Sequence, residues 1–196
     1  MNEKPSRFLL AGVGGQGVLL AAGLLSRALL GSGLEVKQAE IHGMSQRGGS
    51  VLCSVISGRD VHSPLVDPGD ADVLLGFEKL EALRYAHYLT PGGLILSDSR
   101  LIPPVGQAPG PVEQAAREGE ARLDRAPVQV FFSDFYLEAQ RLGNPRLTNT
   151  ITLGALAGFM GLEMTVWKEA VWSSVPGGTE ELNWKAFNCG LALLGK

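Results

Sequence analysis

Three groups of residues in this chain have types and spacings that could do chemistry. The first is Gly12-Val-Gly-Gly-Gln-Gly17, a G-x-G-x-x-G stretch with Gly12, Gly14 and Gly17 in register and with Gly15 and Gln16 added to the pattern. Backbone N–H groups at the start of a helix, exposed by such a loop, favour a phosphate or carboxylate. The second is His42-Gly-Met-Ser45-Gln46-Arg47-Gly48-Gly49, which gathers a titratable ring, a hydroxyl, an amide and a permanent cation among glycines. Arg47 offers a planar fork for an anion, and His42 a proton near neutral pH. The third is a pair of carboxylates, Glu78 and Asp98, each just where an apolar run ends.

These residues need elements to position them. Arg7 to Val13 reads as a buried strand and Gln16 to Leu30 as a helix apolar around nearly its whole circumference. Leu34 to Glu40 follows as a second strand, so the first part of the chain is a β-α-β unit with a right-handed crossover. Glu40, roughly two dozen residues beyond the last loop glycine, stands where an acid would take a ribose hydroxyl in a dinucleotide site. The same glycines also suit turn geometry and packing alone, and both readings stay open at this point.

Further strands are expected at Ser50 to Ser57, Ala71 to Phe77, Leu94 to Asp98 and Val128 to Phe132. Val61-His62-Ser63 is expected to pair back as a short hairpin strand. Glu78 to Tyr88 has helical spacing and is stopped by Thr90-Pro-Gly-Gly93. A charged segment, assigned no element, runs to Ala126. Helices are expected at Asp134 to Arg141, Thr148 to Met160, Thr165 to Ser173 and Thr179 to Leu194. Strands alternating with helices, most without clean polar alternation, predict an α/β fold. It is a three-layer α-β-α arrangement with a mostly parallel, Rossmann-like sheet and a helical C-terminal third. Residues 1–196 are read as one domain, a length that buries roughly 70% of the unfolded chain's surface.

Composition excludes several function classes. The chain is 45% apolar and 19% charged with a net charge of −3, and its Lys and Arg residues are scattered, so no nucleic-acid face is expected. No run is long and apolar enough to suggest a membrane span, and the N-terminus lacks a secretory pattern, which points to the cytoplasm. The chain has two cysteines, Cys53 and Cys189, whereas an iron–sulfur cluster takes about four thiolates, so neither a cluster nor another metal site is expected here. His42, His62 and His87 have no metal-ligand spacing, and no catalytic triad or P-loop motif is present.

The two glycine-rich motifs together resemble the gamma-type domain of 2-oxoacid:ferredoxin oxidoreductases, in particular the smaller subunits of the indolepyruvate branch. Leu75-Gly-Phe-Glu78, Leu89-Thr-Pro-Gly-Gly93, Gly143-Asn144, Asn149 and Leu153-Gly-Ala-Leu156 are similar to the same family, so the resemblance spans most of the chain. It implies a subunit that supports coenzyme A-dependent oxidative decarboxylation of an aryl pyruvate such as indolepyruvate to an acyl-CoA, carbon dioxide and reduced ferredoxin. Thiamine diphosphate and the iron–sulfur clusters are then expected on a larger partner subunit, and this chain is expected to bind no cofactor and to be inactive alone.

The resemblance also implies that Gly12, Gly14, Gly15, Gln16 and Gly17, with Glu40, His42, Ser45, Gln46, Arg47, Gly48 and Gly49, face that partner, the substrate or coenzyme A. Trp167, Trp172 and Trp184 and the apolar first helix are candidates for a partner surface, and a homodimer is expected in isolation. Two other readings compete: a free-standing NAD(P)-binding oxidoreductase resting on Gly12, Gly14, Gly17 and Glu40, and a regulatory or scaffold module of the same fold.

Overall fold

The computed structural model describes residues 5–42, 49–103 and 109–193. Six strands form one mixed sheet in the order β2-β3-β1-β4-β5-β6: β1 (Ser6–Val13), β2 (Glu35–His42), β3 (Ser50–Gly58), β4 (Ala71–Gly76), β5 (Leu89–Asp98) and β6 (Gln129–Ser133). The ladders β1/β4, β4/β5 and β5/β6 are parallel, and β3 alone runs against both of its neighbours. The sheet is therefore mostly parallel by strand direction, as expected.

Helices α1 (Val18–Gly31), α4 (Phe135–Arg141), α5 (Thr148–Phe159), α6 (Met164–Ser174) and α7 (Glu180–Leu193) pack on one face; α2 (Lys79–Tyr85) and α3 (Pro109–Leu123) pack on the other. The strand sequences require this sandwich. In β1, Phe8 and Leu10 enter the first layer while Leu9 and Ala11 enter the second, and all four are buried. A strand covered on both faces reads as a continuous apolar run rather than an alternation.

The first layer is the larger core. Trp167 and Phe187 are fully buried with ring centroids 5.3 Å apart, and Trp184 stacks on Phe187 at 5.2 Å. Burying a side chain of that size contributes about 1.5–3 kcal/mol. Gly154 and Gly190 let α5 and α7 meet backbone to backbone, because a Cβ at either would fall on the carbonyl of Phe187 or Ile151. Trp167 is thus a core residue; Trp172 and Trp184 are half-buried. The first helix is not covered all round, since Leu19, Leu20 and Leu30 remain exposed.

β3 lies between β1 and β2, so the strands of the β-α-β unit share a direction without touching. Three sequence expectations are corrected. Val61-His62-Ser63 forms no strand; Ser54 Oγ instead donates to the Pro64 carbonyl at 2.6 Å and holds that segment over β3. The charged stretch before Ala126 is α3, whose few apolar residues, Val112, Ala116 and Leu123, make a narrow buried stripe. Thr90-Pro-Gly-Gly93 is a bulge inside β5, shown by the register step from Ala71↔Leu89 to Val73↔Leu94. Among the described residues no helix is long and apolar enough to cross a membrane.

Candidate functional site

The parallel strands end at one edge of the sheet, the edge where ligands sit in open α/β folds. β1 runs into Gly14–Gly17 there, β4 into Phe77, and β5 into Ser99–Ile102. Together with the start of α4 and the turn before α5 these segments enclose a cleft of about 510 Å³. Gly14, Gly15, Gln16 and Gly17 line it, so the glycine loop is one of its walls.

That loop is held rigidly. Gln16 Oε1 accepts the Val13 N–H at 2.7 Å, and its Nε2 donates to the Phe77 carbonyl at 2.7 Å, tying the end of β1 to the end of β4. Gly12 is buried against Gln16, Val18 and Phe77, with no room for a Cβ. Gly15 and Gly17 take φ of +100° and +77°, in the region that favours glycine. Gly17 is the N-cap of α1 and supplies no side-chain cap, so N–H groups of the first helical turn have no partner from a capping side chain. Across the loop, Asn149 Nδ2 donates to the Gly17 carbonyl at 3.4 Å.

β2 ends at His42 and β3 starts at Ser50 on this same edge. The Gly14 N–H donates to the Gly49 carbonyl at 2.8 Å, which joins the two loops. Ser50 Oγ donates to Glu81 Oε2 at 2.5 Å and lies 2.9 Å from the Tyr85 hydroxyl, fixing the start of β3 to α2. Ser45, Gln46, Arg47 and Gly48 lie outside the described residues, as does the side chain of His42.

Glu40 is not brought to the cleft. Its strand is separated from β1 by β3, about 10 Å away at ordinary strand spacing, so it cannot serve a ligand on the glycine loop as a ribose acid would. Instead its charge, after burial itself, helps push the Cys53 thiol up to about 11.

Glu78 and Asp98 are both buried, and neither lines the cleft. Glu78 caps α2 by accepting the Glu81 N–H at 2.7 Å and also takes the Ile102 N–H at 3.0 Å. Asp98 accepts the Arg100 N–H at 2.9 Å and the Tyr136 N–H at 2.6 Å. Burial raises the pKa of each carboxyl, against the opposing pull of these N–H donors and, for Asp98, of the Arg100 charge. Both carboxylates therefore pin the backbone that builds the cleft wall.

The cleft also contains Arg100, Tyr136 and Arg146, which the sequence reading missed, and Phe77 and Asn149, which carry the family resemblance but are assigned no site there. The rule that ligands gather at strand ends applied to Phe77 and Arg100, which follow β4 and β5. Tyr136 and Arg146 have no sequence signal of their own.

Residues 7–193 match the family described as Pyruvate ferredoxin/flavodoxin oxidoreductase. The chain is 41% identical to indolepyruvate oxidoreductase subunit IorB of Pyrococcus horikoshii, over 96% of this chain and 95% of that protein. Among solved structures, the gamma subunit of a keto/oxoacid ferredoxin oxidoreductase from Geobacter sulfurreducens superposes with a TM-score of 0.73 at 26% identity, covering 97% of this chain and 99% of that one. A 2-oxoglutarate:ferredoxin oxidoreductase from Magnetococcus marinus, solved with 2-oxoglutarate, coenzyme A and succinyl-CoA bound, shares the fold at a TM-score of 0.73 and 21% identity, over 99% of this chain and 32% of its own. Over nearly its whole length, then, this chain belongs to the pyruvate ferredoxin/flavodoxin oxidoreductase family, among the subunits of 2-oxoacid:ferredoxin oxidoreductases.

Proposed function

We propose that this chain is the non-thiamine subunit of an aryl pyruvate oxidoreductase, with indolepyruvate as its substrate. The complex would convert the 2-oxoacid anion, coenzyme A and two oxidised ferredoxins into arylacetyl-CoA, carbon dioxide, two reduced ferredoxins and a proton. Thiamine diphosphate and the iron–sulfur clusters would reside on a larger partner subunit, and ferredoxin would meet the complex there. The substrate assignment is supported by the 41% identity to an indolepyruvate oxidoreductase subunit.

The observation that carries a role for this chain is the cleft at the strand ends, walled by the rigid glycine loop. In this reading the edge made by Gly12–Gly17 and by the loop from His42 to Gly49, with Ser45, Gln46 and Arg47, faces the partner and helps enclose coenzyme A. The coenzyme A seen in the Magnetococcus enzyme supports that choice of ligand. Residues 1–196 act as one domain. Cys53 and Cys189 form no disulfide, which suits a cytoplasmic location. The exposed leucines of α1 provide a surface for the partner or, in isolation, for a second copy.

The test is co-expression with a thiamine- and cluster-bearing large subunit, followed by an assay of coenzyme A-dependent ferredoxin reduction by indolepyruvate. Activity is expected only when both subunits are present. A large subunit that turns over indolepyruvate equally well without this chain would overturn the reading.

A further inference from the structure

The two edges of the sheet are built differently. β2, at one end, carries Glu35, Lys37 and Glu40 along its length. Charges of that kind keep an open strand from pairing with another chain. β6, Gln129-Val-Phe-Phe-Ser133, forms the other end and pairs only with β5 among the described residues. It has no charge, no proline and no register shift against β5, and Val130, Phe131 and Phe132 make its middle apolar. Val130 is nonetheless 43% exposed, and Leu137 on α4, the helix that leaves β6, is exposed as well.

Two hydrogen bonds give the direction of its backbone groups. The Ser133 carbonyl accepts the Ser99 N–H at 2.9 Å and the Pro127 carbonyl accepts the Gly92 N–H at 2.6 Å, so the odd-numbered positions face β5. Backbone groups alternate in side along such a strand, so Val130 and Phe132 turn both N–H and C=O away from β5. These outward donors and acceptors stand symmetrically about Phe131.

That symmetry selects the occupant. When two copies of β6 lie antiparallel about a two-fold axis at Phe131, Val130 faces Phe132 of the second copy, and the two exchange both of their hydrogen bonds. Phe132 does the same with Val130 of the second copy. Phe131 meets its own counterpart in the closer, non-hydrogen-bonded pair, and Gln129 meets Ser133. Every position finds a polarity like its own, and aromatic and β-branched pairs are among those that stabilise a sheet. Moving the centre by one residue sets Gln129 against Phe131, or Val130 against Asp134. A strand from a different protein needs no sequence that complements itself, whereas a two-fold contact requires one.

We infer that β6 is a self-association edge: two copies of this chain join antiparallel through residues 129–133, with Phe131 on the two-fold axis, and merge their sheets into one. The inference goes beyond the proposed function and is independent of which 2-oxoacid is used. It leaves the exposed leucines of α1, a helix packed on β2 and β3 at the other end of the sheet, to the large subunit.

The test measures mass by analytical ultracentrifugation, on the full-length chain and on its complex with the large subunit. Both are expected to contain a pair of these chains. Val130→Lys puts a charge on the open edge, and Val130→Pro removes an outward N–H while sparing the β5 ladder. Each is expected to weaken self-association roughly 10- to 100-fold, while Leu30→Ser on α1 leaves it unchanged. Gln129→Cys combined with Ser133→Cys checks the register. These thiols are too far apart along one strand to bond to each other, so they are expected to link two copies as a reducible dimer, and either substitution alone is expected to link none.

A chain that is monomeric alone and enters the complex singly overturns the inference. So does a dimer that Leu30→Ser disrupts and both Val130 variants leave intact, or a cross-link from the cysteine pair to the large subunit. If circular dichroism shows that Val130→Lys does not fold, Val130→Pro and the cysteine pair decide, and a native dimer that the cysteine pair fails to lock rejects the pairing. If no complex with a large subunit forms, the proposed function fails, and the chain alone still decides the edge.

Discussion

The side-chain amide of Gln16 bridges two strand ends, accepting from the N–H of Val13 and donating to the carbonyl of Phe77, each at 2.7 Å. Gln16→Ala leaves both backbone groups without that partner and is expected to cost about 1–3 kcal/mol. Gln16→Glu keeps the contact to Val13 but sets a carboxylate oxygen against the Phe77 carbonyl. Its destabilisation should therefore be greater at pH 7 than at a pH where that carboxyl is protonated. Urea unfolding of the full-length chain at both pH values checks this, and equal losses at the two would contradict the geometry.

Two glycines, one closing the loop and one inside α1, should respond in opposite directions. Gly17 has φ of +77°, and a Cβ there would lie 2.5 Å from Asn149 Nδ2, so Gly17→Ala is expected to cost about 1–3 kcal/mol. Gly23 lies inside α1 with ordinary φ and open space beside it, so Gly23→Ala is expected to stabilise by about 0.5–1 kcal/mol. Midpoints from thermal unfolding, Gly17→Ala down and Gly23→Ala up, form the check.

Glu78 and Asp98 give the chain a pH dependence of unusual sign. Folding raises both pKa values, chiefly by burial, so in the window between the ordinary carboxyl pKa and the raised folded value the native state binds more protons than the unfolded state. Stability contributed by these two groups therefore increases as pH falls through the raised values, and levels off below the ordinary value near about 4. Asp98→Asn and Glu78→Gln should flatten that part of the stability–pH profile. A variant profile parallel to wild type across the window would show that these carboxyls do not titrate there.

Cys53 is fully buried on β3, and its thiol is pushed up to about 11, first by burial and then by the charge of Glu40. The thiolate is the reactive form, so Cys53 is expected to resist alkylation at pH 7.5 in the native chain and to react once urea unfolds it. Peptide mass spectrometry after a timed iodoacetamide pulse reads this directly. Labelling of Cys53 at the same rate in both states would contradict its burial.

Much of the fold was written locally. The run from Phe8 to Ala11, the Gly-Ser-Gly end of α1, with Gly33 at φ of +78°, and the apolar lengths of α5 and α7 each carry a local energetic signature, so their types were legible without a structure. The glycine loop was legible for the same reason, because only glycine is comfortable at Gly15 and Gly17.

What escaped the sequence was everything that depends on which strand lies beside which. The insertion of β3 between β1 and β2 leaves no mark on either flanking strand, yet it moved Glu40 off the site that spacing had given it. α3 was hidden because a helix resting on the surface of the sheet needs only a thin apolar stripe, here Val112, Ala116 and Leu123.

The sequence by itself determined an α/β chain with a glycine loop at a strand end and a resemblance to the family to which the chain belongs. Only the tertiary structure decided that Glu78 and Asp98 hold backbone rather than face a ligand, and that Arg100, Tyr136 and Arg146 meet across a cleft. Hydrogen bonding and stacking between residues tens of positions apart depend on strand order and register, which composition and periodicity along one segment do not encode.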